Sequence, residues 1–351
     1  MTRKRSLRRV SAAGLLAVPI MISGCGPFGG NQSEAIDPPP AQVEEQMMNG
    51  IGSAATQGEI GEQTTVYLTD NRGMLVPVTM GIPSEEGSDS MSSALEVLIK
   101  GGRYAAYIPP GFQGVLPPGT QVNNVTVDEE NKLALIEFNP AFASYSAQEE
   151  RRILEALTWT LTGQEGIEQL QIWVDGVKLT EMPVNGTPLD RPLTRALGIN
   201  LQKADDAIYS SSTPVTVYFS SVTPEGIQYY VPVTRLVPSG QSALQAALNE
   251  LIRGPQPGDG LESVISGDAA VASVEQGEDG LVTVALEDDM FMEGDPIPSE
   301  LLQAVVLTVS ENAQNAKVKI RMNDLAEVVG TDSLNYSEPV TRPERINEIS
   351  I

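Results

Sequence analysis

The chain has 351 residues with 22 basic and 46 acidic side chains, a formal net charge of −24, one cysteine and no histidine. So acidic a surface is repelled by nucleic-acid phosphate and by anionic headgroups, which excludes nucleic acid as a partner class. A single cysteine permits no internal disulfide, and the missing histidine removes Ser-His-Asp triads, Cys-His dyads and the commonest zinc ligand.

Arg3, Lys4, Arg5, Arg8 and Arg9 precede an apolar run over 10–22, which is shorter than the ~20 residues a membrane-crossing helix needs. It reads as an export leader. Ile22, Ser23 and Gly24 before Cys25 resemble the bacterial lipobox, in which the thiol receives a diacylglycerol, the leader is removed and the new amino terminus is acylated. Cys25 is therefore the expected lipidation site, and two or more acyl chains make the attachment stable. Without 1–24 the chain keeps 17 basic against 46 acidic residues, a charge of −29, so lipid and not the protein surface holds it to the membrane. The expected location is the cell membrane, facing the extracytoplasmic or intermembrane space. Residues 26–63, rich in Gly, Pro, Gln, Glu and Ser, bury too little apolar surface to fold and read as a flexible stalk.

Residues 64–351 exceed one typical domain, and the sequence repeats itself within them. Val66-Tyr67-Leu68 returns as Val217-Tyr218-Phe219, and Val76-Pro77-Val78-Thr79 as Val231-Pro232-Val233-Thr234. Ala94 to Gly101 matches Ala247 to Gly254, Ala156 to Thr162 matches Ala304 to Ser310, and Leu170-Gln171-Ile172 matches Val318-Lys319-Ile320, always in the same order. The offset changes only between blocks, in Gly-, Pro-, Asn- and Asp-bearing stretches where surface loops absorb insertions.

In chain order, 65–69 and 75–80 read as strands joined by a turn at Asn71-Arg72-Gly73. A helix follows, with Ser93 and Glu96 as a capping box and Leu95, Leu98 and Ile99 on one face; in the second copy Leu244, Ala247, Leu248, Leu251 and Ile252 form that stripe. Strands are expected at 122–128 and 133–138, and again at 270–276 and 281–287, each pair closed by a hairpin turn. A longer helix begins at Ser146, boxed with Glu149, its stripe being Ile153, Leu154, Leu157 and Leu161; the copy uses Leu302, Val305, Val306 and Val309. A last strand at 170–174 or 318–322 closes each unit as ββαββαβ, an α+β fold with two helices packed on a sheet. The expected organisation is a leader at 1–24, lipidated cysteine and linker at 25–63, a first domain at 64–184, an interdomain linker at 185–212, a second domain at 213–331 and a polar tail at 332–351.

No catalytic, cofactor-binding or metal-ligating residue is assigned. The sharpest acidic cluster, Glu287, Asp288 and Asp289 with Glu293 and Asp295, does not match the spacing of an EF-hand loop and reads as an acidic loop. No phosphate-cradling glycine motif is present. Trp159, near the apolar stripe of its helix, reads as a core or domain-contact residue. Trp173, alternating with Ile172 on the last strand, is the candidate interface residue. The long loop over 101–119, with Tyr104 and Tyr107, is either a binding loop or a cover over the sheet.

The doubled pattern of V-Y-[LF], V-P-V-T, A-L-x-x-L-I-[KR]-G, a strand, a helix carrying A-x-x-x-T-[LV]-[TS] and a closing strand resembles the GerM domain of sporulation and spore germination proteins. With the lipobox, the resemblance extends over the leader and 64–329. It implies a role in sporulation and germination within an envelope complex between mother cell and forespore, and a likeness to small ring-building modules of secretion-like channels. It brings no catalytic residues. The expected function is that of a non-enzymatic assembly factor whose partners are other envelope and sporulation proteins; the alternative is an envelope ligand-binding protein or an enzyme acting on peptidoglycan.

Overall fold

The computed structural model describes residues 62–83, 89–204, 207–208, 210–277, 279–314 and 316–349; the leader, Ile22, Ser23, Gly24, Cys25 and the expected stalk as far as residue 61 lie outside them, whereas Glu62 and Gln63, assigned to the stalk from sequence, already pair with Ile82 and Gly81 in the first hairpin. The first unit runs β1 (Glu62–Asp70), β2 (Leu75–Ile82), α1 (Ser90–Val97), β3 (Phe112–Gln113), β4 (Val122–Asp128), β5 (Leu133–Phe138), α2 (Glu150–Leu161), β6 (Gln169–Val174) and β7 (Val177–Lys178). A two-residue strand, β8 (Gln202–Lys203), lies in the connecting stretch. The second unit repeats the plan as β9 (Ser212–Val222), β10 (Gln228–Pro238), α3 (Ala243–Arg253), β11 (Ala270–Gln276), β12 (Leu281–Glu287), α4 (Ser299–Asn312) and β13 (Lys317–Met322).

Alternation dictates the central strands. Ala134, Ile136 and Phe138 point inward from β5 and Val282, Val284 and Leu286 from β12, all at most 2 % exposed, and each large side chain so buried contributes about 1.5–3 kcal/mol. β4 pairs antiparallel with β5 while β6 pairs parallel. A parallel neighbour needs a crossover, and α2 supplies it between β5 and β6, as α4 does between β12 and β13.

The strands of each unit are divided between two ladders. β1 hydrogen-bonds with both β2 and β3, and β10 with both β9 and β8, apart from the sheets β4-β5-β6-β7 and β11-β12-β13. Each helix pair touches both its hairpin and its second sheet, so the helices are covered on more than the apolar stripe. The hairpin is tied to the long helix by a repeated hydroxyl: Tyr67 N–H donates to Thr160 Oγ1 at 3.0 Å and Tyr218 N–H to Thr308 Oγ1 at 3.2 Å.

At the helix starts the sequence reading needs adjustment. α1 begins at Ser90 after Asp89, with no side-chain cap, and Ser93 lies inside it, so Ser93 and Glu96 do not form a box. At α2 half of the box forms: Glu149 Oε2 accepts from Ser146 N–H at 2.9 Å, but the Ser146 hydroxyl donates to the same oxygen at 2.8 Å instead of capping a backbone N–H, and the helix starts at Glu150. The segment from 332 onward, although polar in composition, buries Tyr336, Ile346 and Ile349. Ile349, with Tyr229 and Val231 of the second unit, joins the core cluster of the first.

Candidate functional site

The most heavily built polar site lies where the two units meet. Glu311 stands in the last turn of α4, where the aligned carbonyl dipoles disfavour a carboxylate, so its presence requires cations. Arg195 Nη1 lies 2.9 Å from Oε1 and 3.1 Å from Oε2. Arg342 Nη1 lies 2.9 Å from Oε2. Tyr218 donates its hydroxyl to Oε2 at 3.1 Å and accepts from Arg342 Nη2 at 2.7 Å.

Aromatic faces complete the arrangement. The Arg195 guanidinium stacks 4.5 Å from the Trp159 ring centroid and that of Arg342 5.3 Å from Tyr218. Trp159, 1 % exposed, donates Nε1–H to Gly198 O at 2.9 Å. Tyr67 packs 5.6 Å from the same indole. Trp159 is therefore a core residue and a contact to the connecting stretch at once.

Burial pushes the Glu311 carboxyl up, but the Arg195 and Arg342 guanidiniums outweigh it and hold the group below its ordinary value. Burial raises the hydroxyls of Tyr67 and Tyr218, which keeps both as phenols. The carboxylate is occupied by donors on both oxygens, so the chemistry of the site is holding: one negative charge fastens the connecting stretch, the C-terminal segment and α4 together.

A second contact closes the other side. Asp70, 2 % exposed, turns the β1–β2 hairpin by accepting Arg72 N–H and Met74 N–H on Oδ1, both at 2.9 Å, and accepts the Tyr229 hydroxyl of β10 on Oδ2 at 2.9 Å. Arg72 also donates to Ser221 of β9.

Residues flagged in the sequence fall elsewhere. Trp173 is half-buried on the outer face of its sheet, its Nε1–H donating to Gln171 Oε1 at 3.2 Å. It lines a shallow cavity of about 220 Å³ with Asn124, Thr126, Leu135 and Glu137. In the acidic cluster Asp288 is buried and closes its own turn, accepting Ser266 Oγ–H at 2.9 Å and Met290 N–H at 3.0 Å. Among the described residues no group of three or more Cys, Asp or Glu is placed to hold a metal ion. The loop over 101–119 packs inward through Tyr104, Val115 and Leu116, and its ends rim a cavity of about 460 Å³ with Glu96 and Thr120. Arg195, Glu311 and Arg342 were not singled out from sequence; the available signal is the recurrence of Pro-[Leu/Val]-Thr-Arg at 192–195 and 339–342.

The chain matches the Germane family model, described as sporulation and spore germination, over residues 65–180 and 216–326. It is 33 % identical over 361 aligned positions to the spore germination protein GerM of Bacillus subtilis strain 168, covering 96 % of this chain and 97 % of that protein. Among solved structures it is similar to the tandem GerMN domains of the sporulation protein GerM from Bacillus subtilis, with a TM-score of 0.75, 34 % identity, 82 % of this chain and 99 % of that one.

Proposed function

The chain belongs to the Germane family of sporulation and spore germination proteins, and from that premise we propose that it is a membrane-tethered, non-enzymatic assembly factor of the sporulation envelope. The observation that carries this reading is the junction. Its buried charges are spent on locking two copies of one module into a single compact unit, residues 57–351. The reactive-looking side chains of the interior follow the same pattern: Glu150 accepts Tyr145, Asn185 and Thr187, and Glu155 accepts Asn200, each fixing a loop to a helix, while Arg151 pairs with Glu155 along α2 itself.

Partner contact is assigned to what the junction leaves outward. β4 and β11 end their ladders, and free edges accept an added strand. Beside β4 lies the half-buried Trp173, a ring set on a polar face. Cys25 carries the lipid in this reading and confines the unit to one membrane, which raises the effective concentration of partners and lets weak contacts suffice.

Deleting the gene in its host and counting heat-resistant spores and germinating spores tests the role. Loss of either is expected; normal values for both contradict it. Cys25→Ala is expected to move the folded chain to the soluble fraction, and Trp173→Ala to lose crosslinks to envelope proteins with its melting temperature unchanged.

A further inference from the structure

Pro192-Leu193-Thr194-Arg195 recurs as Pro339-Val340-Thr341-Arg342, and at the same offset Ile199-Asn200 recurs as Ile346-Asn347. Both stretches lie outside the matched segments 65–180 and 216–326. Each begins on the closing strand of its own unit. Leu193 and Leu170 exchange backbone hydrogen bonds at 2.8 and 2.9 Å, and Val340 and Val318 do so at 2.8 Å in both directions.

Each then crosses to the other unit. Thr234 N–H donates to Ile199 O at 2.8 Å while Ile199 N–H donates to Thr234 Oγ1 at 2.9 Å. In mirror fashion Thr79 N–H donates to Ile346 O at 3.1 Å and Ile346 N–H to Thr79 Oγ1 at 2.9 Å. Thr79 and Thr234 end the V-P-V-T of β2 and β10 respectively.

The asparagines that follow sit at φ 48 and φ 53, left-handed backbone that Asn tolerates better than most residues. The Asn200 amide donates to Leu75 O and Pro232 O, both at 2.8 Å, and accepts Leu75 N–H at 2.9 Å. The Asn347 amide donates to Tyr230 O and Pro77 O, both at 2.8 Å, and accepts Tyr230 N–H at 2.7 Å. Leu75 and Tyr230 are equivalent positions, as are Pro77 and Pro232, so the two amides make the same three bonds with the units interchanged. Pro77 and Pro232 have no N–H to offer across the gap between β2 and β10. A short side chain that both donates and accepts is what such an edge can bind.

We propose that 192–200 and 339–347 are equivalent arms of one repeat unit, each completing the other unit. The outer edge of β2 is then a docking site for a Pro-Val-Thr-Arg-x-x-x-Ile-Asn segment, and its occupant is this chain's own residues 339–347. The contact is isologous: the same patch serves both partners, as in a twofold dimer, here within one chain. Arginine supplies the charge that meets Glu311, isoleucine fills the apolar site beside Tyr218 and Leu307, and asparagine staples the strand edges. Glu311 has no counterpart, since Gly163 occupies the equivalent position, so one carboxylate serves both arms.

The test uses the full chain with Ile346→Asp and Asn347→Gly, which withdraw the arm while the glycine keeps the backbone angle accessible. A fluorescent peptide of residues 336–349 should bind this variant saturably and bind the unaltered chain, whose site is filled, at least about tenfold more weakly; the peptide carrying Asn347→Gly should lose about tenfold or more, having lost three hydrogen bonds. Equal binding to both chains, or to neither, overturns the proposal. Asn347→Gly alone, followed by amide hydrogen exchange, covers the case in which the double variant does not fold. Faster exchange confined to Thr79, Tyr230 and Ile346, with Val318 and Val340 unchanged, is expected; uniform acceleration, or none, refutes the arm's role.

Discussion

Glu311→Gln removes one charge from the junction and keeps the side chain's size. The Glu311 side chain is 8 % exposed, and those of Arg195 and Arg342 are 28 % and 16 % exposed, so the substitution leaves two guanidiniums facing each other with little water between them. Removing one partner of a fully buried pair costs ~3–5 kcal/mol, and the partial wetting of the arginines lowers the expected loss to about 2–4 kcal/mol. At ~2 °C per kcal/mol for a folded unit of this size, melting should fall by about 4–8 °C at neutral pH. The carboxyl is held below its ordinary value. Its contribution is therefore complete above the unfolded value of ~4.3 and is lost as pH falls through the folded one. Glutamine does not titrate, so the gap in melting temperature between the two proteins should be widest near neutrality and narrow below about pH 4. Scanning calorimetry in a series of buffers from neutral to acid measures it. A gap under about 1 °C at neutral pH, or one that stays constant into acid, refutes the reasoning.

Gly198 adopts φ 79 and ψ −178, and an added Cβ would stand 3.1 Å from Thr234 Cβ and Cγ2. Gly198→Ala should therefore cost about 1–3 kcal/mol in urea denaturation, and an unchanged midpoint would show that the first arm is not held as described. Glu149 is held down to about 2, first by its bond to Lys100 and then by Ser146. Its contribution is present above ~4.3 and lost as pH falls towards that lower value. Lys100→Ala should move its titration upward, which carboxyl-detected NMR reads directly; a titration left in place contradicts the pairing.

The strands β4, β5, β11 and β12 were legible to the residue because period-two alternation and Gly, Asn or Asp turns mark both ends of each. The long helices were legible from their stripes. Which strands share a ladder was not: β1, β2, β9 and β10 are buried on both faces, and such strands lack the alternation that would orient them. The arms were hidden for a different reason. Pro, Arg, Glu and Asn dominate 339–347, and polar composition is the ordinary mark of a linker or tail, yet here backbone and amide bonds to another unit satisfy those groups. Glu311 closes an apolar stripe and reads as a solvated end. Only three-dimensional proximity to Arg195 and Arg342, distant in sequence, makes it the centre of the junction. Trp159 was assigned to the core or a domain contact; it is a core residue that also donates to Gly198 of the connecting stretch.

The proposed role requires the two units to work as one locked body. The measurement that tests it most directly replaces the gene in its host with one encoding Asn200→Gly and Asn347→Gly, which removes both staples, and counts heat-resistant and germinating spores at equal protein level. Losing all six amide bonds should bring the counts down towards those of the deletion. Counts equal to those of the unaltered gene, with the deletion defective, would contradict the claim that the locked pair is the working unit.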